Sequence, residues 1–225
     1  MKIQEQQNGE VEVHNLPQDV ANQTESVNES RRRFTKSGLA VSGVLLTLAS
    51  RPSLGGGGGF GGGFVCKSPS GFMSGNLSQH GTPQKCSGRT PGYWGTHYNW
   101  PSPYKTGTCT DTKHKQYYKS WSITNATMFK DSSVGFHCSG YGLKLKPYSM
   151  MQVILIGGTI DKYQLGAHCV AALLNARKGW TPVLTEAQVR VMFNEYDSKG
   201  YFEPTAGVKW YPGDIVAYLQ STMTL

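Results

Sequence analysis

The clearest apolar periodicity lies in the last third of the chain. Asp161-Lys-Tyr-Gln164 has the spacing of a capping box with Asp in its first place, and Leu165-Gly-Ala-His-Cys-Val-Ala-Ala-Leu-Leu-Asn-Ala176 follows with no polar stripe. Arg177 and Lys178 then stand where cations favour a helix end, and Gly179 where a left-handed cap is wanted. A helix apolar nearly all round belongs at the centre of a core. A second box, Thr185-Glu-Ala-Gln188, opens another helix, with Leu184 and Val189 spaced as a hydrophobic staple. Val189, Met192, Phe193 and Tyr196 form its buried stripe, and Lys199-Gly200 ends it. Pro212, Asp214 and the apolar Ile215, Val216, Leu219 and Met223 mark a third helix near the C-terminus. Met150 to Ile156 is apolar except at Gln152 and fits either a buried strand or a helix. The box spacing of Ser149 and Gln152 favours a helix.

Upstream the pattern changes. From Gly71 to Gly142 the chain is dense in Gly, Pro, Ser, Thr and aromatic residues with little sustained period, which predicts loops and short elements. The fold class expected is mainly α: a small disulfide-stapled domain, its loop-rich N-terminal half packed on a C-terminal set of three to four helices. Five cysteines bear on the staples: Cys66, Cys86, Cys109, Cys138 and Cys169. Cys169 falls within the apolar helix and is expected to be buried and unpaired. The other four are expected to form two bridges, whose connectivity spacing leaves open.

Residues 1–29 hold six acids against Lys2 and no apolar period, so they read as a disordered leader extension. Residues 30–50 read as a signal segment. Arg31, Arg32 and Arg33 precede a small-residue apolar stretch, Gly38 to Ala49, too short for the ~20 residues that span a bilayer core. It is expected to be removable, with cleavage after Ala49, and to leave no permanent membrane anchor. Residues 51–65, with the Gly55 to Gly63 run, form a linker, and 66–225 a single globular exported domain. The segment Ser30-Arg-Arg-Arg-Phe-Thr-Lys36 resembles the twin-arginine signal S-R-R-x-F-L-K. It matches at Ser30, Arg31, Arg32, Phe34 and Lys36 and departs at Thr35. The resemblance implies a twin-arginine translocon as export partner and a periplasmic or secreted location in a bacterium. A general secretory signal, or a short buried helix behind a basic patch, is the alternative.

Candidate chemistry is sparse. No nucleophile elbow, phosphate loop, dinucleotide fingerprint, H-E-x-x-H helix or C-x-x-C pair occurs, and no cofactor is expected. From Pro52 onward eight carboxylates face sixteen Lys and Arg, a net of +8, which counts against paired-acid hydrolysis and fits an anionic partner or simple solubility. Asp197 to Glu203 has the look of a calcium loop, but Lys199 stands where an oxygen ligand is needed. His137, Cys138 and His168 are candidate metal ligands, set against ordinary disulfides and a hydrogen-bonded core histidine. The run Lys113-His-Lys-Gln-Tyr-Tyr-Lys-Ser-Trp121 interleaves cations and aromatics as polyanion-binding surfaces do, or forms a solvated loop with its rings turned inward.

Gly92-Tyr-Trp-Gly-Thr-His97 and Ala171-Ala-Leu-Leu-Asn-Ala176 resemble a loose group of bacterial exported proteins that pair a GYWxxH element with an apolar helix ending in LN. The group often has Lys where Gly95 stands here, and the resemblance implies export but no activity. Tyr93, Trp94, His97, Lys113, Tyr117 and Trp121 are the candidate ligand-contacting residues. Docking of the loop-rich half onto the helices is the competing role for Tyr93 and Trp94. The expected function is an envelope-associated or secreted protein with a non-catalytic interaction or structural role. Its expected partner is anionic envelope polysaccharide or another envelope protein, and not nucleic acid. The alternative is an exported metal-dependent or thiol enzyme using His and Cys.

Overall fold

A computed structural model describes residues 64–73 and 84–224. The leader, the signal residues Ser30, Arg31, Arg32, Phe34 and Lys36, and nearly all of the linker lie outside the described residues. In chain order the elements are β1 (Phe64–Val65), α1 (Pro69–Met73), β2 (Lys85–Cys86), β3 (Gly88–Arg89), α2 (Pro91–Thr96), β4 (Thr106–Cys109) and β5 (Trp121–Ala126). Then follow α3 (Met150–Leu155), α4 (Leu165–Arg177), α5 (Glu186–Lys199), β6 (Phe202–Thr205), β7 (Val208–Trp210), α6 (Pro212–Ser221) and β8 (Met223–Thr224).

The expected mainly α class is therefore corrected. Among the described residues six helices account for most of the 40% helix, but strand reaches 19%, and four two-stranded sheets are distributed through both halves. Three pairs, β1 with β2, β4 with β5 and β6 with β7, are antiparallel. The fourth, β3 with β8, is parallel and ties the start of the domain to its end, with Gly88 opposite Met223. Met223 thus belongs to a strand, not to the last helix. The β4–β5 ladder shifts register between Thr106 and Thr108, at Gly107, whose φ is +87° and where a Cβ would lie 2.5 Å from Ser122 O.

The core is built around α4. Every residue from Leu165 to Asn175 is buried, and α2, α3, α5 and α6 all pack against this helix. Its start differs from a capping box. Gln164 is the residue before the helix, in a left-handed conformation with φ of 53°, and provides no side-chain cap. Asp161 instead lies buried beneath the first turn, accepting from Ala167 N at 3.0 Å and from the Tyr141 hydroxyl at 2.6 Å. The boxes of α3 and α5 form as the spacing predicts, with Ser149 and Thr185 accepting from Gln152 N and Gln188 N. Leu184 and Val189 are both buried beside the α5 start, and Gly200 caps its end with φ of 80°.

The cysteines are also corrected. Cys66 and Cys86 form one disulfide between β1 and β2, whereas Cys109, Cys138 and Cys169 are free. Cys109 ends β4 and donates to Asp111 O at 3.3 Å, and Cys138 is buried in the loop that wraps the α5 residue Asp197. Cys169 is fully buried and unpaired, as its place in the apolar helix predicts.

Candidate functional site

Two segments singled out by their residues meet on one face, and α2 is the element that joins them. Thr90 caps its N-terminus by accepting from Tyr93 N at 3.4 Å, and Pro91 opens the first turn. Trp94 points inward, where its Nε1 donates to Asn175 Oδ1 at 3.0 Å. The same Asn175 oxygen accepts from Arg89 N at 2.9 Å, and the Asn175 amide donates to Arg89 O at 2.9 Å. One buried amide therefore clamps the GYW segment to the LN end of α4. Trp94 is 1% exposed, stacks on Trp180 and is a packing residue. Trp121 is likewise buried, its Nε1 donating to Lys115 O at 2.8 Å. Neither tryptophan is available to a ligand, because each spends its ring on the core and its N–H on a fixed acceptor.

Tyr93 and His97 remain outside. Their rings stack with centroids 3.7 Å apart, and the Arg89 guanidinium stands 5.4 Å from the Tyr93 centroid. His97 Nδ1 lies 2.8 Å from Tyr93 O, an acceptor, which assigns the proton to Nδ1.

Beside α2 is an open groove of about 350 Å³, lined by Gly92, Gly95, Thr96 and Tyr98 together with Lys115 and Gln116, with Ile154 and Leu155 of α3 also in its lining. Gly95 permits this approach, since a Cβ there would come within 3.1 Å of both Ile154 and Leu155 side chains. The Lys115 ammonium is 5.3 Å from the Tyr98 centroid, and Tyr98 in turn contacts Trp121 at 5.0 Å. Gln152 fixes α3 to this corner by donating from Nε2 to Trp121 O at 2.8 Å. In the same basic loop Lys113 and Tyr117 are exposed. Asp111 turns the loop, accepting from Lys113 N at 3.0 Å and lying 2.7 Å from His114 Nδ1, and the His114 bond holds its carboxyl below the usual range.

Of the candidate contact residues, Tyr93, His97, Lys113 and Tyr117 are thus accessible to some degree and Trp94 and Trp121 are not. Tyr98, Ile154 and Leu155 were not legible as site residues. Tyr98 has no motif around it beyond its place after His97, and the α3 pair reaches the groove only through tertiary packing.

The candidate metal ligands do not come together. His137 is exposed and donates its backbone N–H to Asn194 Oδ1 at 2.8 Å, while Cys138 is buried. Burial, and then the charge of Asp197, pushes the Cys138 thiol up to about 11. His168 places Nδ1 2.8 Å from Gln164 O and Nε2 3.2 Å from Gln220 Nε2, and burial pulls its pKa down. Cys169 is pushed well above the ordinary thiol range by burial. Among the described residues no group of three or more His, Cys, Asp or Glu side chains is arranged to hold a metal ion. Compared with protein-family models, curated proteins and solved structures, the chain matches none.

Proposed function

We propose that the chain is a bacterial protein exported through the twin-arginine route, which works without catalysis by binding anionic envelope polysaccharide on the face around α2. The observation that carries this reading is the groove itself. Residues of the GYWGTH helix and of the basic loop line it together, and Lys115 is the only charged residue among the described residues of its lining. Exposed Lys113, Lys119 and Tyr117 extend the same loop, so a chain of negative charges meets cations and ring faces together. Thiol chemistry at Cys138 or Cys169 is disfavoured because a nucleophilic cysteine needs a lowered pKa, whereas both of these thiols are shifted upward. Export is supported by the twin-arginine resemblance and by the Cys66–Cys86 disulfide, a bond at home in an oxidising compartment. No described helix is long and apolar enough to cross a membrane.

The binding half is tested by retention of the full chain on an immobilised uronic-acid polysaccharide beside a neutral polysaccharide. Salt-sensitive retention on the acidic polymer alone, reduced by Lys113→Glu with Lys119→Glu, is expected. Equal passage through both columns overturns it. For the export half, Arg31→Lys with Arg32→Lys should hold the precursor in the cytoplasm although charge is unchanged, and normal export of that variant returns the signal to the general secretory route.

A further inference from the structure

We infer that the α2 groove is the subsite for a single acidic sugar, a uronic acid residue whose carboxylate pairs with Lys115. The inference rests on the polysaccharide-binding reading and names the unit that reading leaves open. A volume of about 350 Å³ falls at the lower end of the ~300 to 1,000 Å³ range of ligand clefts, room for about one or two pyranose rings and too little for a folded partner. The lining has three chemical parts. Ile154 and Leu155 give an apolar surface for the C–H face of a ring, and Gly92 and Gly95 add no side-chain bulk to the lining. Thr96 is already committed as a donor to Gly92 O or Tyr93 O, at 3.1 and 3.0 Å, and lies 3.1 Å from His97 Nδ1, so its oxygen keeps one lone pair to accept from a sugar hydroxyl. Gln116 adds an exposed amide to the lining.

Charge decides between a neutral and an acidic ring. Lys115 forms none of the ion pairs found among the described residues, and the one acid in its loop, Asp111, is engaged by His114 and Lys113 N. Its ammonium stands over the Tyr98 ring instead, a position from which it reaches a carboxylate without leaving an ion partner behind. A purely aliphatic occupant leaves the Lys115, Gln116 and Thr96 polar groups unmatched, and a neutral sugar leaves Lys115 unmatched. A uronic acid satisfies all three parts.

Gly92 supplies a test particular to this site. A Cβ there meets only Thr90 Oγ1, at 3.8 Å, so Gly92→Leu adds bulk at a residue of the groove lining from a Cβ that itself fits. Titration calorimetry of the full chain with a tetrasaccharide of galacturonic acid, and with the matching neutral tetrasaccharide of galactose, reads the outcome. The acidic probe is expected to bind wild type at least tenfold more tightly than the neutral one, and Gly92→Leu and Lys115→Gln are each expected to weaken it at least tenfold. Lys115→Gln decides the matter if Gly92→Leu fails to match wild type by circular dichroism. Equal binding of both tetrasaccharides overturns the acidic assignment. Unchanged affinity in the variants, with polymer retention intact, overturns the groove while leaving the polysaccharide reading standing. Loss of binding to both polymer and tetrasaccharide by the wild-type chain overturns the reading as well.

Discussion

Asn175 concentrates more of the architecture than any other polar side chain around α2. Its amide takes two donors, Trp94 Nε1 and Arg89 N, and gives one hydrogen to Arg89 O, all from a fully buried position. Asn175→Leu keeps the volume and strands those groups. With ~1 to 3 kcal/mol for each buried group left unpaired, the variant is expected to lose about 2 to 5 kcal/mol in urea unfolding. Trp94→Phe combined with it should add less than the sum of the singles, because both remove the same bond, and strictly additive losses would break this account. Asp161 makes a prediction about pH. Burial raises its pKa despite the Tyr141 and Ala167 bonds, so the folded chain holds this proton at a pH where the unfolded chain has released it. The stability it contributes is complete below the unfolded value of about 3.9 and is lost as pH rises through the folded pKa. Asp131 acts in the opposite sense: Val134 N–H and Ser133 donors hold its pKa down, so its contribution disappears as pH falls. Asp161→Asn can keep the Ala167 N bond through its oxygen and reverse the Tyr141 bond, its amide donating to the phenol oxygen, while removing the titration. Its stability relative to wild type should therefore climb as pH rises from about 4 to 8, followed by thermal melts. Parallel melting curves would contradict it.

At the level of elements, the central helix is set by a close approach that periodicity does not reveal. A Cβ at Gly166 would lie 2.6 Å from Leu145 Cδ1 and 3.0 Å from Val153 Cγ1, so the first turn of α4 is fitted against the 3-10 turn at Tyr141–Lys144 and against α3. Gly166→Ala should therefore destabilise by about 1 to 3 kcal/mol through overpacking, outweighing the ~1 kcal/mol that alanine gains in helix propensity. A stabilised variant in guanidinium unfolding would show that α4 has slack there. The four helices α3 to α6 were legible because each buries a stripe or a whole surface, as α5 follows its Thr185 box and its Val189, Met192, Phe193 pattern to Gly200, whereas the short α1 and α2 were not. The strands were not. β2, β3 and β8 are two residues long, too short for any alternation, and are set by what their backbones meet. Asp197 shows the same gap, since its carboxylate gathers Ser139 N and Oγ, Gly140 N and Gly142 N from nearly sixty residues away, a role no local pattern announces.

For the whole molecule, the cysteine count is a direct check on connectivity. The denatured, unreduced chain should release three thiols, Cys109, Cys138 and Cys169, and peptide mapping should recover Cys66 joined to Cys86. One titratable thiol would mean a second bridge. The site was half legible. The GYWGTH segment and the Lys113 to Trp121 run announced themselves by composition, but that both line one groove with Ile154 and Leu155 depends on the Asn175 clamp and on Gln152, which bring distant parts of the chain together. On the proposed reading this face binds an anionic polysaccharide. Amide chemical-shift mapping of the full chain, titrated with a uronic-acid polysaccharide fragment, tests it most directly. The predicted shifts cluster at His97, Tyr98, Lys113, Lys115, Gln116 and Tyr117 and shrink with added salt. Shifts confined to the surroundings of Cys138 and His168, or none at all, would contradict it.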